Sequence, residues 1–149
     1  MSVFPTTILL ATDGSDEAAR ATEAAVELSR DTGSEMHVVY VLPVPAQLIG
    51  HHLYSSETRE SLIGGAEREA ERFLKEQTER IENDGGKVAE THLRSGDPDK
   101  EIIRAAESFG VGLIVIGSRG LGAVSRALMG SVSDSVVRHA HCPVLVIRH

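Results

Sequence analysis

The sequence predicts an α/β fold in which a mostly parallel sheet carries helices on both faces. Apolar, β-branched runs alternate with amphipathic helical patterns, in the order βαβαβαβαβ, along 149 residues. The helical segments are long enough for the right-handed crossovers that join parallel strands. Charged residues make up 25% and hydrophobic residues 41% of the chain, as in an ordinary globular domain. Length and composition together therefore favour a single domain.

The first strand and the first helix flank a turn. Residues 7–12 (TILLAT) form a short apolar run that is typical of a strand buried on both faces, and the turn residues Asp13-Gly14-Ser15 follow it. Small and apolar residues then recur at helical spacing through residues 16–30. We expect Ser15 or Asp16 to be the N-cap of this helix and Gly33 to end it.

The second strand and the longest helix are separated by a long connection. Residues 36–42 (MHVVYVL) predict a strand that Pro43 and Pro45 end. Residues 43–58 show no period, and long connections of this kind are often functional. An apolar stripe that starts at Leu62 predicts a helix over residues 57–83, with Gly64-Gly65 weakening its first turns.

The second half of the chain repeats the alternation. Residues 88–94 predict a weaker strand, and Asp97 with Pro98 predicts the N-cap and first turn of a helix. Residues 111–116 predict the fourth strand, which leads into a glycine-rich segment. A short helix ending near His139 and a last strand over residues 143–147 complete the pattern.

Charge and cysteine content exclude several classes of function. Lys and Arg number 15 against 22 Asp and Glu, a net charge of −7, and no basic cluster interrupts this balance. Duplex nucleic acid is therefore not an expected partner. Cys142 is the only cysteine, so an intrachain disulfide and a cysteine-based zinc site are excluded. The chain also shows no secretory signal and no apolar run of membrane-spanning length, so we expect a cytoplasmic protein.

Two segments of unusual composition follow strands one and four. Open parallel sheets bind ligands at the carboxyl ends of neighbouring strands whose connections leave in opposite directions. Residues 11–15 (ATDGS) follow the first strand, and residues 117–122 (GSRGLG) follow the fourth, with Gly130 and Ser131 beyond them. Glycines allow close backbone approach, and a helix N-terminus at Ser131 favours an anion, which fits phosphate. The segment is neither a Walker loop nor the dinucleotide fingerprint GxGxxG.

Each of these residues also has a purely structural interpretation. The glycines could serve loop and turn geometry only. Asp13 could accept hydrogen bonds from ribose hydroxyls or help to hold a cation, or it could form an ordinary Asx turn or helix cap. Ser131 and Ser133 could contact phosphate oxygens, cap their helix, or do both.

The spacing Gly117-x2-Gly120-x9-Gly130-Ser131 resembles the motif of the universal stress protein family, in its nucleotide-binding branch. Residues 8–15 (ILLATDGS) and 142–146 (CPVLV) strengthen the resemblance, which covers essentially the whole chain. It implies a single universal stress protein domain over residues 1–149. The implied fold is a doubly wound, five-stranded parallel sheet of order 3-2-1-4-5 that is Rossmann-like and similar to the adenine nucleotide alpha hydrolases.

The resemblance also implies that ATP, or another adenine nucleotide, binds between the loops after strands one and four. Asp13 would meet the ribose, the backbone at Val41 the adenine edge, and the glycine-rich residues the sugar and phosphates. Mg²⁺ or Mn²⁺ would be held mainly by the phosphates, near Asp13, with no direct protein ligand assigned. The implied binding residues are Ala11, Asp13, Val41, Gly117, Arg119, Gly120, Gly130, Ser131, Val132 and Ser133.

Family members commonly dimerise through the last strand, here residues 143–147, and an exposed apolar edge is itself a template for pairing. Two positions depart from the family pattern. Ala11 stands where nucleotide-binding relatives carry proline, and Arg119 stands where others have histidine. Arg119 could contact a phosphate, or its side chain could face solvent.

Three functional hypotheses follow. The first is a homodimeric, ATP-binding regulator of the stress response in which nucleotide orders residues 43–58 and 117–130. The second is a slow ATPase that uses Arg119 or Arg126 to stabilise the transition state, although we assign no catalytic residue. The third is a ligand-free scaffold for an unidentified protein partner. The adjacent pair His51-His52 is not expected to bind metal, because successive residues rarely direct both rings to one ion.

Overall fold

The computed structural model describes residues 2–43, 56–119 and 130–148. These form one parallel sheet of five strands in the order β3-β2-β1-β4-β5, which confirms the predicted order 3-2-1-4-5. The strands are β1 (Thr7–Thr12), β2 (Glu35–Leu42), β3 (Val88–Ser95), β4 (Leu113–Gly117) and β5 (Val144–Ile147). The helices of the described residues are α1 (Asp16–Thr32), α2 (Ser56–Asn83), α3 (Pro98–Ser108) and α4 (Ser131–His139).

The two faces of the sheet carry separate cores, because successive side chains of a strand point to opposite faces. Ile8 and Leu10 of β1 pack on one face with residues of α1 and α2. Leu9 and Ala11 pack on the other face with residues of α3 and α4. All five residues from Ile8 to Thr12 are buried, as the apolar run predicts for a central strand.

The predicted ends of α1 are confirmed. The Ser15 side chain accepts a hydrogen bond of 3.1 Å from the backbone N–H of Ala18, so Ser15 is the N-cap. Gly33 ends the helix with φ 73°, a left-handed conformation that glycine adopts without steric cost, and its N–H donates to the carbonyl of Ser29.

The predicted N-cap of α3 and the predicted span of α2 are confirmed. Asp97 is the N-cap of α3 and Pro98 lies in the first turn, although Asp97 makes no side-chain capping bond. Gly64-Gly65 lies within α2, which is continuous from Ser56 to Asn83.

Two other sequence-based details are wrong. β4 begins at Leu113 and not at residue 111, because the N–H of Val111 bonds to the carbonyl of Ala106 at the end of α3. Leu62 is 49% exposed, so the buried stripe of α2 does not include it.

The topology places a crevice between β1 and β4. These strands are parallel neighbours, with Ile8 opposite Leu113 and Leu10 opposite Val115. The helix after β1 packs on one face of the sheet and the helix after β4 packs on the other. The two connections therefore leave in opposite directions, which is the switch point where open α/β sheets bind ligands. None of the helices in the described part of the chain combines the length and apolar character of a membrane span.

Candidate functional site

A cavity of about 320 Å³ lies at the carboxyl ends of β1, β2 and β4. Its volume falls within the roughly 300–1,000 Å³ of small-molecule pockets. The cavity is lined by every predicted binding residue that the structure describes, namely Ala11, Asp13, Val41, Gly117, Arg119, Gly130, Ser131, Val132 and Ser133. Gly120 lies outside the described residues. The structure thus brings together residues that are more than 100 positions apart in the sequence.

One side of the cavity is apolar. Val39 and Val41 from β2 and Ile116 from β4 contribute buried side chains, and so does Ile102 of α3. These side chains belong to the core on the α3 and α4 face of the sheet. Such a wall suits the faces of a planar, poorly hydrated ring system, whereas it offers nothing to a charged group.

Asp13 lies on the polar side of the cavity. Its Oδ1 accepts a hydrogen bond of 2.9 Å from the backbone N–H of Ser15, which is an Asx turn. The turn also contains Gly14 at φ 83°, a left-handed conformation. The structural interpretation of Asp13 as a turn residue is therefore correct, and the same turn holds its carboxylate at the cavity.

The N-terminus of α4 closes the polar side. Ser131 and Val132 are the first two residues of this helix, and both line the cavity. The first N–H groups of a helix have no acceptor inside it and carry the positive end of the helix dipole. The N-cap is Gly130, and no side chain caps it. This end of the cavity is therefore suited to an anionic group.

Gly130 and Ser133 are held by hydrogen bonds to Ser118, which follows β4. The Gly130 N–H donates to the Ser118 carbonyl oxygen at 2.6 Å. The buried Ser133 hydroxyl lies 2.5 Å from the same oxygen. A Cβ atom at Gly130 would lie 3.1 Å from that oxygen and 3.2 Å from the Arg119 Cα. A side chain at position 130 would therefore crowd the backbone that follows β4, and Ser133 acts as a structural group.

Glu17, which the sequence analysis did not single out, supports the segment after β4. This residue in the first turn of α1 is 6% exposed. Its carboxylate accepts hydrogen bonds from the Ser118 hydroxyl, from the Arg119 backbone N–H at 2.9 Å and from the Arg119 Nη2 at 2.8 Å. The Ser118 hydrogen bond, followed by those from Arg119, outweighs burial and lowers the pKa of Glu17 to about 2.

This contact overturns one of the two interpretations of Arg119. The Arg119 side chain is 16% exposed, so the interpretation as a solvent-facing side chain is wrong. Its Nε and Nη2 both contact Glu17 Oε1, at 3.2 and 2.8 Å, while the residue lines the cavity. The sequence does not reveal this contact, because the partner of Arg119 is 102 positions away.

Comparison with known proteins adds to this geometry. The family model described as the universal stress protein family matches residues 5–148. Universal stress protein YxiE of Bacillus subtilis is 32% identical over 145 residues, covering 95% of this chain and 97% of the relative.

Two solved structures share the architecture. The universal stress protein UspA from Lactobacillus plantarum superposes with a TM-score of 0.84 at 25% identity, covering 97% of this chain and 99% of that one. A universal stress protein from Archaeoglobus fulgidus, solved in complex with dAMP, superposes with a TM-score of 0.65 at 27% identity. This superposition covers 99% of this chain and 100% of the Archaeoglobus fulgidus chain.

Proposed function

Because this chain belongs to the universal stress protein family, we propose that it binds an adenine nucleotide, with ATP as the first candidate, in the cavity beside β1 and β4. The single observation that carries the proposal is the lining of that cavity. An apolar wall at one side and a helix N-terminus at the other match a molecule with a planar base and an anionic phosphate. The dAMP complex of the Archaeoglobus fulgidus relative supports this class of ligand.

The proposal assigns a role to each side of the cavity. The base lies against Val39, Ile102 and Ile116, with its edge at the backbone of Val41. The ribose lies at Asp13, whose carboxylate accepts hydrogen bonds from hydroxyl groups. The phosphate lies at the N–H groups of Ser131 and Val132, where the positive end of the α4 helix dipole favours negative charge.

The donor set at Asp13 fits a divalent cation. Mg²⁺ is usually bound through one or two carboxylates together with substrate phosphates. Asp13 is the one carboxylate among the described residues that line the cavity. An ion held mainly by the phosphates and approached by Asp13 would neutralise part of the nucleotide's charge.

Binding is better supported than turnover. Hydrolysis requires a group that positions water and a cation that stabilises the transferred phosphoryl group. The guanidinium of Arg119 is hydrogen-bonded to Glu17, and Asp13 is the only acidic side chain of the described lining. Arg126, the other cation of the ATPase hypothesis, lies outside the described residues.

The proposed regulator is a homodimer formed through β5. This strand lies at an edge of the sheet, and its four residues, all apolar, are partly exposed. An apolar edge strand is a template for pairing with a second chain. The proposal places the dimer in the cytoplasm, where adenine nucleotides are present.

In the proposed switch, nucleotide changes the surface that residues 43–58 and 117–130 present to a partner. Residues 44–55 and 120–129 lie outside the described residues. The segments flanking them line the cavity at Pro43, Arg119 and Gly130. Hydrogen exchange with and without ATP tests the switch, because equal exchange rates in both segments would contradict it.

Release of bound molecules tests the binding proposal itself. Protein purified without added nucleotide is denatured, and the released small molecules are identified by chromatography and mass. Adenine nucleotide near one molecule per chain is the expected result. If the protein is empty and its melting temperature is also unchanged by ATP and Mg²⁺, the scaffold hypothesis replaces this proposal.

A further inference from the structure

A second group of potential ligands lies on β2 and β3, away from the nucleotide cavity. His37 of β2 is opposite Glu90 of β3, and His92 follows two residues along β3. The ladder is irregular at this point, because Met36 pairs with Val88 while His37 pairs with Glu90. The extra residue of β3 between these pairs places Glu90 and His92 on the same face of the sheet as His37.

A nitrogen of the His37 ring lies within hydrogen-bond distance of a nitrogen of the His92 ring. His37 Nδ1 and His92 Nε2 are 2.9 Å apart, and the rings are nearly parallel at 5°, with centroids 5.1 Å apart. Phe109, which follows α3, stacks against both rings at centroid distances of 4.9 and 4.2 Å. Two imidazole nitrogens are thus held against each other beside an aromatic ring.

A carboxylate completes the group. Glu90 Oε2 lies 3.7 Å from His92 Nε2, and one ligand atom from each of the three residues lies within 4.8 Å of the others. The side chain of His92 is 12% exposed and that of Glu90 is 62% exposed. The side chain of His92 is therefore largely buried, whereas that of Glu90 is exposed to solvent.

We propose that His37, Glu90 and His92 form a binding site for a divalent transition-metal ion, with Zn²⁺ as the first candidate. Two imidazoles and one carboxylate are a ligand set that zinc accepts in sites that keep a fourth position for water. Imidazole ligands favour zinc, copper and nickel over magnesium and calcium. The exposed side of Glu90 leaves room for that water.

Small movements convert the hydrogen-bonded pair into a ligand pair. Two nitrogens bound to one tetrahedral ion at 2.0–2.1 Å are roughly 3.3–3.4 Å apart, so the rings must separate by about 0.4 Å. Each ring must also turn, so that its lone pair points at the ion and not at the other nitrogen. In the neutral pair, one N–H lies between the rings. Moving that proton to the outer nitrogen of the same ring leaves a lone pair on each of the two inner nitrogens. The exposed Glu90 side chain can rotate towards them.

The His92 ring is largely buried beside His37 and Phe109. Burial, followed by the neighbouring His37, lowers the pKa of His92 below its usual value, although Glu90 opposes this effect.

The metal site is independent of the proposed nucleotide site. Val39 and Val41, which line the nucleotide cavity, lie further along β2 than His37 and towards its carboxyl end. None of the three proposed ligands lines that cavity. Failure of nucleotide binding would leave the metal proposal intact, and the reverse also holds.

Zinc titration of tag-free protein against a chromophoric chelator tests the proposal. We expect one Zn²⁺ per chain, and we expect Co²⁺ in its place to give the intense visible absorption of a four-coordinate site. Glu90→Gln and His92→Gln should each weaken binding by at least roughly tenfold. Even the loss of a group that only hydrogen-bonds a ligand costs roughly 10–100-fold in affinity.

Histidines elsewhere in the chain provide matched controls. The double variants His139→Gln/His141→Gln and His51→Gln/His52→Gln should bind Zn²⁺ like the parent protein. Zn²⁺ should also raise the melting temperature of the parent and leave that of His92→Gln unchanged. Because Glu90 is exposed, Glu90→Gln provides the test even if His92→Gln fails to fold.

Three results would overturn the proposal. One is that the parent protein does not bind Zn²⁺ in competition with the chelator. The second is that Glu90→Gln and a folded His92→Gln bind as tightly as the parent. The third is that affinity is lost in either control variant, which would place the ion at other histidines.

Discussion

Replacing Ser131 with proline tests whether the N-terminus of α4 binds phosphate. The substitution removes a single N–H at the first helical position, where proline is favoured. The preceding residue, Gly130, has φ −65° and ψ 155°, which is the extended conformation that a following proline requires. Ser131 is exposed, so no core packing is lost. The helix should therefore form normally while one phosphate contact disappears.

The expected effect is large enough to measure. A hydrogen bond to a charged group contributes about 1.5–3 kcal/mol, so Ser131→Pro should weaken AMP and ATP binding roughly 10- to 150-fold. Ser131→Ala is the matched control, because it removes the hydroxyl but keeps the N–H. Its affinity for AMP should stay much closer to that of the parent protein.

Isothermal titration with AMP, ATP and adenosine separates the phosphate from the nucleoside. Adenosine should bind Ser131→Pro and the parent protein equally, because it has no phosphate to lose contact with α4. Equal AMP affinity in the parent and in a folded Ser131→Pro variant would refute the placement of the phosphate. A parallel loss of adenosine affinity would show that the substitution disturbs the whole cavity.

The remaining predictions concern stability and assembly. The lowered pKa of Glu17 means that its stabilising contribution is complete above its ordinary value of 4.5 and is lost as the pH falls from 4.5 towards 2. At 1.36 kcal/mol per pKa unit the contribution is at most about 3 kcal/mol, and urea unfolding at about pH 6 and about pH 3 should show a flatter pH profile for Glu17→Gln. Gly33→Ala should destabilise the protein by about 1–2 kcal/mol in the same assay, because alanine is strained at φ 73° while no neighbouring atom lies within 4 Å of its Cβ. An unchanged unfolding midpoint would contradict this cause. Val146→Pro should convert the proposed dimer into a folded monomer in light scattering. The carbonyls of Pro143 and Ile147 accept hydrogen bonds from Ile114 of β4 and from Ser118 just after it, so by strand alternation the N–H of Val146 points to the outer edge. A dimer that survives this substitution would place the interface elsewhere.

Local features of the fold could be predicted because their causes are local. Ser15 and Gly33 bound α1 through hydrogen bonds to residues three or four positions away. The apolar run of β1 reflects burial on both faces. The cavity could also be anticipated, since parallel topology alone brings the segments containing Asp13 and Gly130 to one crevice.

Contacts between distant residues could not be predicted in this way. Glu17 resembles any acidic residue in the first turn of a helix, and only the folded chain brings it to Ser118. The pairing of His37 with His92 depends on an irregular ladder between Met36 and His37, which alternation of polar and apolar residues does not reveal. Both contacts join residues that lie far apart in the sequence, so composition alone does not reveal them.

Amide chemical-shift mapping with ATP and Mg²⁺ tests the central claim most directly, because it reports the bound position residue by residue. The account predicts that the largest changes occur at the N–H groups of Ser131 and Val132 and at Val41, with smaller changes along β3. Changes confined to other surfaces, or an unchanged spectrum at saturating ATP, would contradict a nucleotide site in this cavity.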